Sequence, residues 1–99
     1  MNILFVCNQN ENRSKTAAEV FGNKHSTISA GLFNKKPLTK EQVEWADLVV
    51  VMEDQQRSEI AHRFPDSYMK KKIISLGIPD VYHYNQRELI EVLKTKELF

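Results

Sequence analysis

The sequence has little of what many functional sites need. Its 99 residues include one cysteine, three glycines and three prolines. One cysteine excludes an intramolecular disulfide, and because a free thiol lasts best in a reducing compartment, we expect a cytoplasmic protein. The three histidines have no metal-ligand spacing to one another or to the cysteine. We therefore expect neither a metal nor another cofactor.

A strong net charge and long apolar runs are also missing. The formal net charge is +1, which predicts no bulk attraction to nucleic acid or to a membrane surface. No apolar run approaches the roughly 20 residues that span a bilayer, and the N-terminus does not resemble a secretory signal. The hydrophobic fraction of 41% and charged fraction of 27% are typical of a globular protein. The length predicts one domain over residues 1–99.

Short apolar segments alternate with segments of helical periodicity. The predicted strands are Asn2–Val6, Ser26–Ser29, Leu48–Met52 and Lys72–Leu76. The predicted helices are Lys15–Phe21, Thr39–Trp45, Asp54–Phe64 ended by Pro65, and a last helix capped by Asn85. The apolar runs are nearly continuous, which indicates strands buried on both faces. The sequence therefore predicts an α/β fold, with a four-stranded parallel sheet flanked by helices in flavodoxin-like layering.

The segment from Cys7 to Ser14 has the composition of an anion-binding nucleophile site. It reads Cys-Asn-Gln-Asn-Glu-Asn-Arg-Ser and lies between the first strand and the first helix. A helix N-terminus offers unpaired N–H groups and a partial positive charge, which favour both a bound oxyanion and a thiolate. The planar guanidinium of Arg13 matches phosphate oxygens. We expect phosphoryl transfer through a cysteinyl-phosphate, with Cys7 as the nucleophile.

This segment contains no glycine, although a loop that turns its N–H groups inward usually needs a positive φ. Asn8, Asn10 and Asn12 alternate along it, and asparagine tolerates the left-handed region better than most residues. Ser14 is also a candidate N-cap of the following helix.

The ends of the predicted strands bring polar side chains to one edge of the sheet. Cys7, Ser29 and Glu53 end or follow the first three strands, and Asp80 comes four residues after the fourth. Ligands of parallel sheets bind at the carboxyl ends of the strands. These residues are therefore expected to meet at one site.

Three segments resemble the low-molecular-weight protein tyrosine phosphatase family. Cys-x5-Arg-Ser after the first strand is similar to the phosphate-binding loop of that family. Ser29-Ala30-Gly31 is similar to the Ser-Ala-Gly that follows its second strand. Its third strand resembles the segment Trp45-Ala46-Asp47-Leu48-Val49-Val50-Val51-Met52-Glu53. Ile78-Pro79-Asp80-Val81-Tyr82 resembles a short subgroup of predicted phosphatases. The resemblance implies the family fold and a cysteine-dependent phosphatase.

The resemblance also implies roles for individual residues. Asn8, Gln9, Asn10, Glu11 and Asn12 would form the phosphate loop, although the family commonly has glycine in place of Gln9 and often a second cysteine in place of Asn12. Ser14 would hydrogen-bond the sulfur, and Ser29 would brace Asn10.

The general acid and the substrate walls follow from the same comparison. The family uses the aspartate of an Asp-Pro pair as the acid, whereas this chain has Pro79-Asp80 in reversed order; Asp66 is the alternative. Substrate walls would come from Phe33, Tyr82 and Tyr84.

The sequence therefore predicts a phosphate-monoester hydrolase, most plausibly a protein tyrosine phosphatase, acting on a phosphorylated protein or a small aryl phosphate and releasing inorganic phosphate. Other interpretations stay open: a phosphoserine phosphatase, an arsenate reductase coupled to an external thiol, or a binding module for oxyanions or phosphopeptides without turnover.

Overall fold

The computed structural model describes residues 1–96 and 98. Its strands are β1 (Asn2–Cys7), β2 (Ser26–Gly31), β3 (Leu48–Val51) and β4 (Lys72–Ser75), which pair in parallel in the order β2-β1-β3-β4. The helices are α1 (Arg13–Phe21), α2 (Lys40–Trp45), α3 (Asp54–Arg63), α4 (Pro65–Lys70) and α5 (Arg87–Lys94). The predicted fold class, a parallel four-stranded sheet flanked by helices, is confirmed.

Both faces of the sheet are buried, which explains the continuous apolar runs. Alternate residues of each strand point to opposite faces. On one face Phe5 of β1 packs in a cluster with Leu89 and Leu93 of α5. On the other face Leu4 lies in a cluster with Ile60 of α3. The central strand β1 is thus enclosed by helices on both sides.

The register aligns the carboxyl ends of the strands. Cys7 lies opposite Gly31 of β2, and Val6 lies opposite Val51 of β3. Val51 in turn lies opposite Ser75 of β4. The segments that follow these strands therefore leave the sheet at one edge, as the sequence predicted.

Several predicted helix ends were wrong. The first helix begins at Arg13, not at Lys15, so Ser14 lies within its first turn and is not the N-cap. Pro65 does more than end a helix, since it also opens α4 in the first helical position, where its missing N–H group is harmless.

The predicted Asn85 cap was also wrong. The last helix begins at Arg87, and Asn85 adopts a positive φ of 60° while its backbone N–H donates to Thr16 Oγ1 at 2.8 Å. This bond fastens the start of the last segment to α1. By contrast, Thr39 and Gln42 form the predicted capping box of α2. No helix in residues 1–96 and 98 is long and apolar enough to cross a bilayer.

Candidate active site

Cys7 is the last residue of β1, and its sulfur contacts the loop formed by residues 8–12. The backbone N–H of Asn10 donates to Cys7 Sγ at 3.2 Å, and Ser14 Oγ lies 2.9 Å from the same sulfur. The side chain is only 3% exposed. Both groups can donate a hydrogen bond to the sulfur, and the thiolate is the reactive form of cysteine.

Asn10 shapes the loop. Its φ is 56°, which is the left-handed conformation that asparagine tolerates. Its Oδ1 accepts a hydrogen bond from Ser14 Oγ at 2.9 Å, and its Nδ2 donates to the carbonyl oxygen of Ser29 at 3.5 Å. Ser29 thus contacts Asn10 through its backbone and not through its hydroxyl group.

The hydroxyl group of Ser14 has one proton and two partners, Asn10 Oδ1 and Cys7 Sγ. While Cys7 is protonated, its S–H can donate to Ser14 Oγ as Ser14 donates to Asn10. When Cys7 loses its proton, the hydroxyl can turn and donate to the sulfur instead. Ser14 is therefore placed to stabilise the sulfur in its charged state.

Arg13 is held by two acceptors and is only 2% exposed. Its Nη1 donates to Glu53 Oε1 at 2.5 Å and to the carbonyl oxygen of Ile78 at 2.7 Å. Asp80 Oδ1 lies 3.8 Å from its Nε. The guanidinium is fixed in one orientation before any substrate arrives. The sequence placed Glu53 at this edge of the sheet but gave it no role.

Gln56 is a buried residue of α3 that sequence analysis missed. Its Oε1 accepts the backbone N–H of Met52 at 2.8 Å, and its Nε2 donates to Asn8 Oδ1 at 3.2 Å. One side chain therefore ties the end of β3 to the start of the loop. A buried glutamine has no periodic signal of its own, so its role emerges only from the tertiary contacts.

Gly31, the third residue of Ser-Ala-Gly, lets the loop approach β2. A Cβ atom at this position would lie 2.9 Å from the backbone carbon of Gln9 and 3.0 Å from the backbone nitrogen of Asn10. Both neighbours are backbone atoms of the loop and cannot move aside independently. The glycine is therefore required by close packing, and its φ is not positive.

One small pocket, about 40 Å³ in volume, brings the predicted nucleophile, arginine and acid together. It is lined by Cys7, Gln9, Glu11, Asn12, Arg13 and Asp80. Asp80 is 61% exposed at its rim. Asp66, the alternative acid, lies in the first turn of α4 beside another pocket that includes Lys40 and Ser67.

Of the expected wall residues, Phe33 contacts the start of the loop, since its backbone N–H donates to the carbonyl oxygen of Asn8 at 2.8 Å. It is exposed and lines a larger pocket beside Gln9 and Asn10. The Arg63 guanidinium lies over its ring, with Cζ 5.1 Å from the ring centroid.

The two tyrosines are directed elsewhere. Tyr82 packs against the hydrophobic core, and Tyr84 donates from its hydroxyl group to Glu19 at 2.7 Å. This bond raises the pKa of the exposed Tyr84 hydroxyl. The Tyr84 backbone N–H still reaches the loop, since it donates to Asn12 Oδ1 at 2.8 Å.

Within residues 1–96 and 98 no three histidine, cysteine or acidic side chains cluster as metal ligands.

No family model and no curated protein matches this sequence. Solved structures do match. A low-molecular-weight protein tyrosine phosphatase from Bacillus subtilis has a TM-score of 0.74 at 26% identity, covering 95% of this chain and 93% of that one. A YwlE arginine phosphatase mutant with a phosphorylated active-site serine has a TM-score of 0.77 at 26% identity, covering 95% and 91%.

The tyrosine phosphatase Wzb from Escherichia coli K30, solved in complex with phosphate, shares the fold with a TM-score of 0.78 at 20% identity, covering 95% and 91%. These structures confirm the resemblance to low-molecular-weight protein tyrosine phosphatases and the fold that it implied.

Proposed function

We propose that this protein is a cysteine-dependent phosphate-monoester hydrolase that acts as a protein tyrosine phosphatase. The observation that carries the proposal is the single pocket lined by Cys7, Arg13 and Asp80. The class of enzyme is supported by the solved structures, which are phosphatases of the same fold. The same phosphatases support a phosphorylated substrate and the binding of phosphate. We further propose that the protein is cytoplasmic and acts on phosphoproteins, without a nucleic acid or membrane partner.

In the first step the thiolate of Cys7 attacks phosphorus. The S–P bond forms as the bond to the leaving oxygen breaks, and Asp80 gives its proton to that oxygen. Arg13 and the N–H groups of the loop bind the equatorial oxygens, where negative charge must be held in the transition state. Because Glu53 already fixes Arg13, little reorganisation is needed on binding.

In the second step water attacks the cysteinyl-phosphate. Asp80, now a carboxylate, takes a proton from the water, the P–O bond forms, and the S–P bond breaks to release inorganic phosphate. The departing sulfur receives the hydrogen bond of Ser14. A neighbour of the same fold carries a phosphorylated serine in its active site, which agrees with a covalent intermediate in this class.

A second candidate substrate is phosphoarginine. Three of the matching structures are YwlE proteins, two of them described as arginine phosphatases. In this chain Glu11 lines the pocket together with Cys7 and Asp80. A carboxylate there repels a phosphate dianion but attracts a cationic guanidinium leaving group, so Glu11 favours this substrate over an uncharged phenol.

Steady-state hydrolysis of para-nitrophenyl phosphate, with phosphotyrosine, phosphoserine and phosphoarginine peptides, tests the proposal. We expect turnover that Cys7→Ser abolishes, while that variant still binds phosphate. Intact mass after rapid acid quench should show Cys7 carrying one phosphoryl group.

The other results would identify the alternatives. Binding without turnover by the parent protein would indicate a binding module, and turnover of arsenate with added glutathione alone would indicate an arsenate reductase. A Glu11→Gln variant that loses only phosphoarginine turnover would assign that substrate.

A further inference from the structure

A broad pocket lies beside the catalytic pocket and is separated from it by the loop. Its volume is about 690 Å³, and its walls come from residues 9–11, 29–30 and 33–36 with Gln42; we call it the flanking groove. Gln9 and Glu11 border both pockets. A group bound over Cys7 is therefore adjacent to whatever occupies the flanking groove.

The charges of the flanking groove are unbalanced. Lys35 and Lys36 are exposed on the segment after β2, and neither forms an ion pair with a described residue. Glu11 is the acidic residue in its walls, at the end next to Cys7. The far end of the flanking groove is thus positive, while the end at the catalytic pocket is negative.

The shape of the flanking groove also fits a peptide. The exposed ring of Phe33, which also contacts the Arg63 guanidinium, contributes an aromatic surface to its wall. Gly31 pairs with Cys7 on one side and with Pro37 on the other, so Lys36, next to Pro37, lies about two strand spacings, roughly 10 Å, from Cys7. An extended peptide advances about 3.3 Å per residue, so this distance corresponds to about three residues of a bound peptide. Complementary charges at this position select substrates and speed their association.

We infer that the flanking groove binds acidic residues that lie next to the phosphorylated residue of a protein substrate, through Lys35 and Lys36. The inference rests on the proposed phosphatase function and adds a sequence preference to it.

The test uses two phosphotyrosine peptides that differ only in having glutamates or glutamines beside the phosphotyrosine. At low salt kcat/KM should favour the acidic peptide by up to about tenfold, mainly through KM, as two exposed ion pairs of about 0.7 kcal/mol each allow. High salt should reduce the preference. The double variant Lys35→Glu/Lys36→Glu should abolish or reverse it.

The matched control is Lys24→Glu/Lys94→Glu, which makes the same change in net charge at two exposed lysines in a different pocket. The control should keep the full preference for the acidic peptide. A parallel measurement by fluorescence anisotropy, with Cys7→Ser in each background, reads peptide affinity without turnover. It should show the same ratios.

Two results would overturn the inference. One is equal kcat/KM and equal affinity for the two peptides in the parent protein. The other is a preference that survives Lys35→Glu/Lys36→Glu, or that disappears equally in the control. If the parent protein hydrolyses both peptides, the proposed function stands whatever the preference. If it neither hydrolyses nor binds either peptide, the tyrosine phosphatase function and the inference both fail, and hydrolysis of phosphoarginine peptides decides the second candidate function.

Discussion

Replacing Glu53 by glutamine tests how the protein holds its central arginine. In the parent structure Arg13 Nη1 contacts Glu53 Oε1 at 2.5 Å, and the guanidinium is only 2% exposed. Glutamine has the same shape and still accepts one hydrogen bond, but it removes the negative charge. The substitution therefore leaves the buried cation with only the exposed and more distant Asp80, 3.8 Å from its Nε, as an ionic partner.

The free energy of unfolding should fall by about 2 kcal/mol. Removing one partner of a fully buried ion pair costs about 3–5 kcal/mol. Here the loss should be smaller, because the Glu53 side chain is 30% exposed and the remaining amide still binds Arg13. At about 4–8 °C per kcal/mol for a domain of this size, Tm should drop by about 8–16 °C.

The effect on phosphate separates a positioning role from a merely structural one. Without the carboxylate, the charge of Arg13 is free to interact with a bound anion, so phosphate should raise Tm more in Glu53→Gln than in the parent. Turnover of para-nitrophenyl phosphate should nevertheless fall by about 10- to 100-fold, since the guanidinium is held less firmly in its orientation.

Calorimetry with and without phosphate, together with kcat and KM, measures both effects. The matched control is Glu59→Gln. Glu59 Oε2 accepts from Arg63 Nε at 2.6 Å and is 31% exposed, but the pair lies within one helix and away from the pocket. The control should lose about 0.5 kcal/mol or less and should not alter the effect of phosphate.

Our account of Glu53 would be refuted by a Glu53→Gln variant with parental stability and turnover within threefold of the parent. In that case the carbonyl oxygen of Ile78 would be sufficient to hold Arg13. A loss of stability without any change in the phosphate response would show that Glu53 serves folding alone.

Three further substitutions test the rest of the site. Arg13→Lys should lower kcat by about 10²-fold or more, because lysine keeps the charge and loses the planar fork; steady-state kinetics within a few-fold of the parent would exclude contact with the transferring group. Asp80→Asn should reduce hydrolysis of phenyl phosphate far more than that of para-nitrophenyl phosphate, whose leaving group needs no proton, and equal losses on the two esters would remove Asp80 as the acid. Gly31→Ala should destabilise the protein by about 1–3 kcal/mol and reduce phosphate affinity, as measured by calorimetry and titration, since its methyl group would press on the backbone of Gln9 and Asn10. Parental values for Gly31→Ala would mean that the loop yields without loss.

The layering of the fold could be predicted from the sequence because its signals are local. Unbroken apolar runs such as Leu48 to Val51 mark strands buried on both faces, and strand–helix alternation leaves few topologies for a parallel sheet. The oxyanion site could be predicted for the same reason. Cys7, Arg13 and Ser14 lie close together in the sequence, at the start of a helix whose N–H groups favour an anion.

Element ends were less predictable. Helix α1 begins at Arg13, two residues earlier than periodicity indicated, directly after the loop that contacts Cys7. Asn85 donates its backbone N–H to Thr16 Oγ1 instead of capping α5. The position of Asn85 depends on a contact between residues 69 positions apart in the chain. Periodicity within one segment carries no information about such a contact.

What the sequence alone determined is the type of fold and the chemical groups of the site. What only the tertiary structure decided is how those groups are held: Glu53 on Arg13 across 40 positions, Gln56 on Asn8 across 48, and Gly31 against the loop. These contacts join the ends of different strands, and no local pattern records which partners meet there. The physical reason is that a buried charge or amide must find its partner in space, wherever in the chain that partner lies.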